Sequence, residues 1–315
     1  MPTITQLEYL IAVEKEKHFG RAALECHVSQ PSLSIQIQKL EEELDVIIFD
    51  RSKKPILTTE VGQSIIDQAR VVLREYKMIK NIAEEGASEP RGSFSLAVIP
   101  TLAPYLIPLF VGEFSKAHPL VKLQIHEYKT EDIIKKLIND EIDAGLLVTP
   151  LKDERIIERH LFFDDFYAYV SIDHPLSKKK IISHEDLKAD ELWILEEGHC
   201  FRNQVLNICS HHNKKLVLPN VEFTSGNLET LKNLVRKNNG FTLLPKLSLL
   251  DTSKKEYDTY VKKIKKPIPS REVSLVHSRS FLKESIISSL EEIIIGQLPK
   301  SIKSLKRKDI EIVDI

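Results

Sequence analysis

Apolar residues recur at helical spacing through the first 58 residues and predict three short helices. The first helix is predicted over residues 6–17, and the small Ala22 and Ala23 suit close packing of a second over residues 19–25. Ser29 is a typical N-cap for the third helix. Pro31 is compatible with this start, because proline is tolerated in the first turn of a helix. The buried face of this third helix is predicted from residues spaced 4, 3 and 4 apart: Leu33, Ile37, Leu40 and Leu44.

The outward positions of the third helix are polar and carry no acid at its start, which suits contact with base edges in DNA. The residues predicted to contact bases are Gln30, Ser32, Ser34 and Gln36. Arg51 and Lys53 then stand in a predicted wing, where they would hold phosphates. We therefore predict a winged helix-turn-helix over residues 1–58 that binds double-stranded DNA. The pattern alone also fits a small helical domain with a solvated polar face.

A longer apolar series follows in residues 59–91. Its members are spaced 4, 3, 4, 3 and 4 apart: Ile65, Ala69, Val72, Tyr76, Ile79 and Ala83. This heptad pattern is typical of a dimerising helix, although so few heptads also fit a helix packed on its own chain. We predict a dimerising linker helix, followed by a hinge at residues 86–92, GASEPRG.

Strand-like and helix-like patterns alternate through residues 92–300, which predicts an α/β effector domain. Period-two or continuous apolar runs favour strands, for example at residues 94–98, 121–125 and 241–244. Residues 301–315 mix basic and acidic side chains, and we expect them to form a solvated tail.

Composition limits the function classes. A chain of 315 residues with 42% apolar and 29% charged residues is typical of a soluble protein of two or three domains. We expect a cytoplasmic protein without a membrane partner, since no apolar run has membrane-spanning length and the first residues do not resemble a signal peptide. The net charge of −1 means that any DNA binding must come from a local surface. The three cysteines lack zinc-type spacing, so no metal or cofactor is expected.

Residues 196–209, EEGHCFRNQVLNIC, carry the candidate chemistry. A buried strand is predicted over residues 191–195 and a helix over residues 201–210, which puts Cys200 at a helix N-terminus. That position, together with His199 and Arg202, is expected to lower the pKa of the Cys200 thiol. Cys209 lies among apolar residues that favour its neutral thiol.

The spacing of Cys200 and Cys209 is also informative. Nine residues of helix rise about 13.5 Å, whereas a disulfide needs Cα atoms within about 7 Å. A bond between these cysteines would therefore require the helix to unfold, as in a redox switch. The alternative is that both are inert buried thiols.

The segment HCFRNQ at residues 199–204 resembles the sensor segment of the OxyR branch, the peroxide-sensing branch of the LysR-type transcriptional regulators. FGRAA at residues 19–23, SQPSLS at 29–34 and FDR at 49–51 resemble the DNA-binding signature of the whole LysR type. The resemblance implies homodimers or homotetramers and an effector domain of two lobes, related to periplasmic binding proteins. Lobe I would span about residues 92–162 and 270–300, and lobe II about residues 163–269.

The resemblance also implies roles for individual residues. Cys200 would react with hydrogen peroxide and Cys209 would resolve it into a disulfide. The implied peroxide pocket consists of Thr101, Thr130, His199, Arg202, Gln204 and Arg271. Asn203 departs from the usual aspartate, and Ile35 departs from the usual small or basic residue of the DNA-reading helix. The implied function is a transcription activator of oxidative stress responses that works with RNA polymerase and a thiol reductant.

Two other functions fit parts of the sequence. One is a LysR-type regulator that binds a small metabolite between its lobes and has inert cysteines. The other is a thiol peroxidase built on the α/β domain. The helix-turn-helix pattern of residues 1–58 argues against an enzyme, because an enzyme has no need of that surface.

Overall fold

The computed structural model describes residues 1–85, 90–188, 191–195, 200–209, 227–278, 283–305 and 307–314. The chain forms two compact units, Met1–Ser88 and Glu89–Ile315. The finer domain boundaries expected from sequence stay predictions.

The first unit is a winged helix-turn-helix followed by a long helix, as predicted. Its elements are α1 (Ile4–Glu16), α2 (Phe19–Glu25), α3 (Gln30–Leu44), the hairpin β1 (Phe49–Asp50) and β2 (Leu57–Thr58), and α4 (Glu60–Glu85). Ser29 caps α3 by accepting a hydrogen bond from the Ser32 amide. Helix α1 starts two residues earlier than predicted, because Thr3 and Gln6 form a capping box. Leu10, Leu33 and Ile37 form the centre of the core.

Helix α4 divides its apolar seam between two environments. Ile65 and Ala69 pack on the core of the first unit. Val72, Tyr76 and Ile79 are 39%, 52% and 68% exposed. The first turns of the seam therefore contact their own chain, whereas these three later positions face outward; the side chain of Ala83 lies outside the described residues.

The second unit is an α/β structure with two lobes, as predicted. Its strands are β3 (Gly92–Val98), β4 (Val121–Glu127), β5 (Ala144–Thr149), β6 (Ile156–Val170), β7 (Ile181–Ile182), β8 (Phe241–Pro245), β9 (Val261–Ile264), β10 (Ile268–Ser278) and β11 (Ile310–Ile312). Its helices are α5 (Ala103–Ala117), α6 (Thr130–Ile138), α7 (Cys200–Ile208), α8 (Leu228–Lys237), α9 (Lys254–Tyr260), α10 (Glu284–Gln297) and α11 (Lys300–Lys303). Short 3-10 turns occur at Pro175–Lys178, His184–Asp186, Lys246–Leu249 and Arg307–Asp309.

Strand β6 runs through both lobes. In the first lobe the strand order is β4-β3-β5-β10-β6, with β3 parallel to β4 and β5, and β10 antiparallel to β5 and β6. In the second lobe β6 pairs with β8 and β9, and β9 pairs with β7. The buried apolar side chains of β6 up to Phe162 belong to the first core, and those from Phe166 onward to the second. Residues between these two positions therefore lie at the junction of the lobes.

Three local predictions are wrong. Leu44, predicted on the buried face of α3, is exposed at the end of that helix. Residues 191–195 do not form a strand: Leu192 makes one isolated bridge to Phe241, although Trp193 and Leu195 are buried as an apolar run requires. The C-terminal segment is not a solvated tail, because β11 joins β10 in parallel and both Ile310 and Val313 are buried. Besides its charged residues, the segment contains the apolar residues Ile310, Ile312 and Val313, which are enough to form a short strand.

Among the described residues, no helix has the length and apolarity needed to cross a membrane. Within the same part of the chain, no cluster of histidine, cysteine and acidic side chains could hold a metal ion.

Candidate functional site

The two candidate thiols occupy opposite ends of α7. Cys200 is the first residue of the helix, is half-buried and packs against the core of the first lobe. Cys209 follows the last helical residue, is buried and belongs to the core of the second lobe. Its amide donates to the Val205 carbonyl at 3.2 Å, which continues the helical pattern to the cysteine itself. Both thiols are free.

Thr130 contacts the Cys200 sulfur. Its hydroxyl donates a hydrogen bond to Sγ over 3.6 Å. A threonine at the start of a helix is commonly a cap, but the N-cap residue of α6 is Lys129 and its side chain makes no capping bond. The Thr130 hydroxyl is therefore directed to the thiol and not to its own helix.

Arg271 and Thr101 form the second half of the site, and both are buried. The Arg271 Nη1 atom donates to the Thr101 hydroxyl at 2.9 Å, and Nη2 donates to the Thr101 carbonyl at 3.3 Å. The guanidinium carbon lies 5.9 Å from the ring centre of Phe201, the residue next to Cys200. The site thus joins a buried cation to the start of the cysteine helix.

Asp164 holds this arginine and was missed by the sequence analysis. Its Oδ2 accepts from Arg271 Nε at 3.1 Å and Nη2 at 2.9 Å, and its Oδ1 accepts from the Leu247 amide at 2.9 Å. The two residues face each other directly in the β6–β10 ladder, and both side chains are fully buried. The available signal was the acidic pair Asp164-Asp165 inside the apolar run of residues 161–170.

The expected low pKa of Cys200 is not found. Burial raises the pKa of this thiol above its ordinary value, while the Thr130 hydrogen bond, the charge of Arg271 and the Phe201 amide act in the lowering direction. Burial raises the pKa of Cys209 to about 12, with no opposing group. The position of Cys200 at the start of a helix therefore does not offset the effect of burial on its pKa. Of the two cysteines of α7, Cys200 alone has neighbouring groups that stabilise its thiolate.

The other predicted pocket residues have structural contacts. Arg202 Nη1 donates to the Leu195 carbonyl at 2.7 Å, which ties α7 to the chain before it. Gln204 is fully buried and its Nε2 donates to the Val313 carbonyl at 3.0 Å. His199 lies outside the described residues. Thr101, Thr130, Arg271 and Cys200 are therefore the predicted residues that the described contacts link into one site.

The predicted base-reading residues of α3 fall into two groups. Gln30 and Ser32 are exposed near the start of the helix. Ser34 accepts a hydrogen bond from Arg51 Nη1 at 3.3 Å. The Gln36 side chain accepts from Gln6 at 3.4 Å, so it is partly engaged within the domain. Gln30 and Ser32 are thus the freest of the four to meet a ligand.

Arg51 is oriented by its own domain. Its Nη2 donates to Glu41 Oε2 at 2.6 Å, and its guanidinium lies 5.0 Å from the ring centre of Phe19. The same Glu41 accepts from the Ile48 and Phe49 amides at 2.8 and 3.0 Å. Glu41 therefore fixes the wing to α3 and directs Arg51 across the helix, while Lys53 is exposed in the wing.

Comparisons with known proteins agree with this architecture. The bacterial regulatory helix-turn-helix family of the LysR type matches residues 4–63, and the LysR substrate binding domain matches residues 87–294. The chain is 36% identical over 274 residues to the hydrogen peroxide-inducible genes activator of Haemophilus influenzae, covering 87% of this chain and 90% of that protein. It is equally similar to the DNA-binding transcriptional dual regulator OxyR of Escherichia coli, covering 87% of this chain and 88% of that protein.

Solved structures give the same result. A full-length OxyR variant from Pseudomonas aeruginosa superposes with a TM-score of 0.75 at 33% identity, covering 94% of this chain and 98% of that one. The reduced OxyR of Porphyromonas gingivalis gives a TM-score of 0.61 at 26% identity, covering 69% and 98%. This chain belongs to the LysR family of bacterial helix-turn-helix regulators, within its OxyR branch.

Proposed function

We propose that the chain is a DNA-binding transcription regulator that senses hydrogen peroxide through Cys200 and forms a Cys200–Cys209 disulfide. One observation carries the proposal: the Cys200 sulfur accepts a hydrogen bond from the Thr130 hydroxyl. Cys200 is the first residue of α7, and Cys209 follows its last residue. The buried Arg271–Thr101 pair supplies a positive charge and a hydroxyl, and its guanidinium lies 5.9 Å from the ring centre of Phe201, the residue next to Cys200. These are the groups that peroxide reduction by a thiol needs.

The first chemical step is attack by the Cys200 thiolate on one peroxide oxygen. The O–O bond breaks, the sulfur gains a hydroxyl as sulfenic acid, and the departing hydroxide takes a proton and leaves as water. The Thr101 and Thr130 hydroxyls can hydrogen-bond the two peroxide oxygens, and the charge of Arg271 favours the anion that develops. Sulfenic acid is reversible and condenses with a second thiol.

The second step is attack by the Cys209 sulfur on the sulfur of Cys200. An S–S bond forms, the S–O bond breaks, and the hydroxyl leaves as water with the Cys209 proton. Nine residues of helix separate the cysteines by about 13.5 Å, and a disulfide allows about 7 Å between Cα atoms. Helix α7 must therefore unwind, which converts a chemical event into a change of structure in the second unit.

The first unit would carry this change to DNA. Gln30, Ser32, Ser34 and Gln36 are proposed to read bases, and Arg51 and Lys53 to hold phosphates. The exposed later seam of α4 supports a homodimer, and the family supports pairing of dimers into a homotetramer. We place the protein in the cytoplasm as a regulator and not an enzyme, an activator that works with RNA polymerase and is reset by a thiol reductant.

Peptide mapping by mass spectrometry tests the proposal. The purified protein is treated with one equivalent of peroxide, and thiols are then alkylated. We expect a Cys200–Cys209 linkage in the wild type, no response in Cys200→Ser, and trapped sulfenic acid in Cys209→Ser. Cys26 is the internal control and should stay free, because burial, Glu25 and Glu8 all raise the pKa of its thiol, whereas Thr130 and Arg271 oppose the shift at Cys200.

Other outcomes would redirect the function. Unreactive thiols would favour a LysR-type regulator that responds to a small metabolite between its lobes. Rapid consumption of many peroxide molecules per protein molecule, in the presence of a dithiol reductant, would favour a thiol peroxidase. A disulfide through Cys26 would refute the assignment of Cys209 as the resolving thiol.

A further inference from the structure

The C-terminal strand binds the strand that carries Arg271. In β11, Ile310 pairs with Ile268 and Ile312 pairs with Ser270, in parallel. The Val313 amide then donates to the Ser270 carbonyl at 3.0 Å. The backbone contacts therefore end one residue before Arg271, so the C-terminal segment is part of the frame that fixes the site.

The same segment also binds the sensor helix α7. The Val313 carbonyl accepts from Gln204 Nε2 at 3.0 Å, in a fully buried contact. The Asp314 carbonyl accepts a longer bond from Asn207 Nδ2 at 3.5 Å. The Val313 side chain is 8% exposed and belongs to the second-lobe core that contains Cys209. One short segment thus contacts both structural elements of the redox site.

The preceding residues fasten the segment at two points. Asp309 forms an ion pair with Lys266 at 2.8 Å, and the guanidinium of Arg307 lies 5.6 Å from the ring centre of Phe163. Exposed contacts of this kind contribute little stability by themselves. They direct the chain towards β10, where the strand pairing and the burial of Val313 provide most of the attachment.

We propose that residues 310–314 form a C-terminal latch that positions α7 beside Arg271 and sets how readily Cys200 and Cys209 form a disulfide. The proposal rests on the proposed peroxide-sensing function. Gln204 lies between the two cysteines on α7, so unwinding of the helix removes the side chain that holds Val313. Contacts present in the reduced state and lost in the oxidised state favour the reduced state by mass action.

The test compares variants within the latch. Val313→Ala removes buried methyl groups, and Gln204→Met removes one hydrogen bond at similar size. Glu311→Ala is the matched control, because Glu311 is an exposed residue of the same strand. Each full-length protein is equilibrated in dithiothreitol redox buffers, and the fraction of disulfide is measured by alkylation and mass spectrometry.

We expect Val313→Ala to raise the thiol–disulfide equilibrium constant roughly tenfold towards disulfide. Tenfold corresponds to a midpoint about 30 mV more negative for a two-electron couple. Gln204→Met shifts the midpoint in the same direction, and Glu311→Ala leaves it unchanged. In the reduced proteins, hydrogen exchange of the amides of residues 203–209 becomes faster in the first two variants alone.

The two readouts separate the latch from the proposed function. If peroxide and redox buffers never produce the Cys200–Cys209 disulfide, the sensing function fails, and hydrogen exchange still reports on the latch. If the disulfide forms but Val313→Ala and Gln204→Met match Glu311→Ala in both midpoint and exchange, the latch is wrong. Should Val313→Ala lose its fold by circular dichroism, Gln204→Met decides the question.

Discussion

Replacing Thr130 with valine tests how the site activates its thiol. Valine keeps the shape of threonine but cannot donate the 3.6 Å hydrogen bond to Cys200. A hydrogen bond to a charged group contributes about 1.5–3 kcal/mol, and the long distance to sulfur favours the lower end. Since about 1.4 kcal/mol corresponds to a factor of ten in an equilibrium constant, we expect the pKa of Cys200 to rise in Thr130→Val and its thiolate fraction at a given pH to fall about tenfold.

The rate of sulfenic acid formation reports this change. It is measured by stopped flow after mixing with peroxide in a Cys209→Ser background, across a range of pH. Below the thiol pKa, the rate rises about tenfold per pH unit because the thiolate fraction does. Thr130→Val should therefore react about tenfold more slowly at neutral pH, with its whole pH–rate profile displaced to higher pH.

The shape of the profile decides between explanations. Thr259→Val is the control, since its hydroxyl donates to the Lys255 carbonyl in α9, and its profile should match the parent. An unchanged profile in Thr130→Val would show that the hydroxyl does not stabilise the thiolate. An equal loss of rate at every pH would refute the part of the reasoning that concerns the thiol pKa, because it would place the whole effect of Thr130 on peroxide.

Three further predictions test burial and assembly. Asp164→Asn should lower the free energy of unfolding in urea by about 3–5 kcal/mol, since it leaves Arg271 as a buried, uncompensated charge; an effect under about 1 kcal/mol would contradict the pairing. The Cys209 thiol should lower the stability of the reduced protein as pH rises from 9 to 12, because its pKa is raised from 9.0 to about 12 in the folded state. Cys209→Ala should therefore flatten the pH dependence of unfolding, and an equal slope in both proteins would refute this. Val72→Glu should dissociate the dimer in sedimentation while Val61→Glu, exposed but outside the seam, should not; a dimeric Val72→Glu would exclude the seam.

The helix-turn-helix could be predicted closely because its signals are local. Helix α2 spans the predicted residues 19–25, and Ser29 caps α3 as its position before Pro31 suggested. A cap and an apolar stripe act over a few residues, so the sequence contains the whole cause. The same holds for α7, which begins at Cys200, one residue before the predicted range.

The candidate redox site could not be predicted from local signals alone. Arg271 and Asp164 are 107 residues apart and meet only through the register of two antiparallel strands. Resemblance to a family supplied Arg271 and Thr101 as candidates, but not the carboxylate that holds the arginine. From the sequence we expect a lowered pKa for Cys200, whereas burial raises it. Neighbours in sequence do not reveal how deeply a sulfur atom is buried.

The prediction that the C-terminal segment is a solvated tail is wrong for a different reason. Its charge pattern is typical of a solvated tail, yet its isoleucines and Val313 fill an edge position beside β10. A free strand edge presents unpaired backbone groups that favour pairing. Only the folded sheet shows that this edge lies next to Arg271, so the composition of the segment could not predict its place.

Selectivity for one thiol follows from what the two cysteines share and where they differ. Burial raises the pKa of both, which protects the resting protein from general oxidation. Only Cys200 has Thr130 and Arg271 to oppose that shift, which is why the proposed mechanism has it react first. Under the proposed mechanism Cys209 stays neutral until α7 opens and water reaches its sulfur, which lowers its pKa towards the ordinary value. The second step therefore depends on the structural change that the first step begins, and oxidation of Cys200 without unwinding of α7 would stop at sulfenic acid.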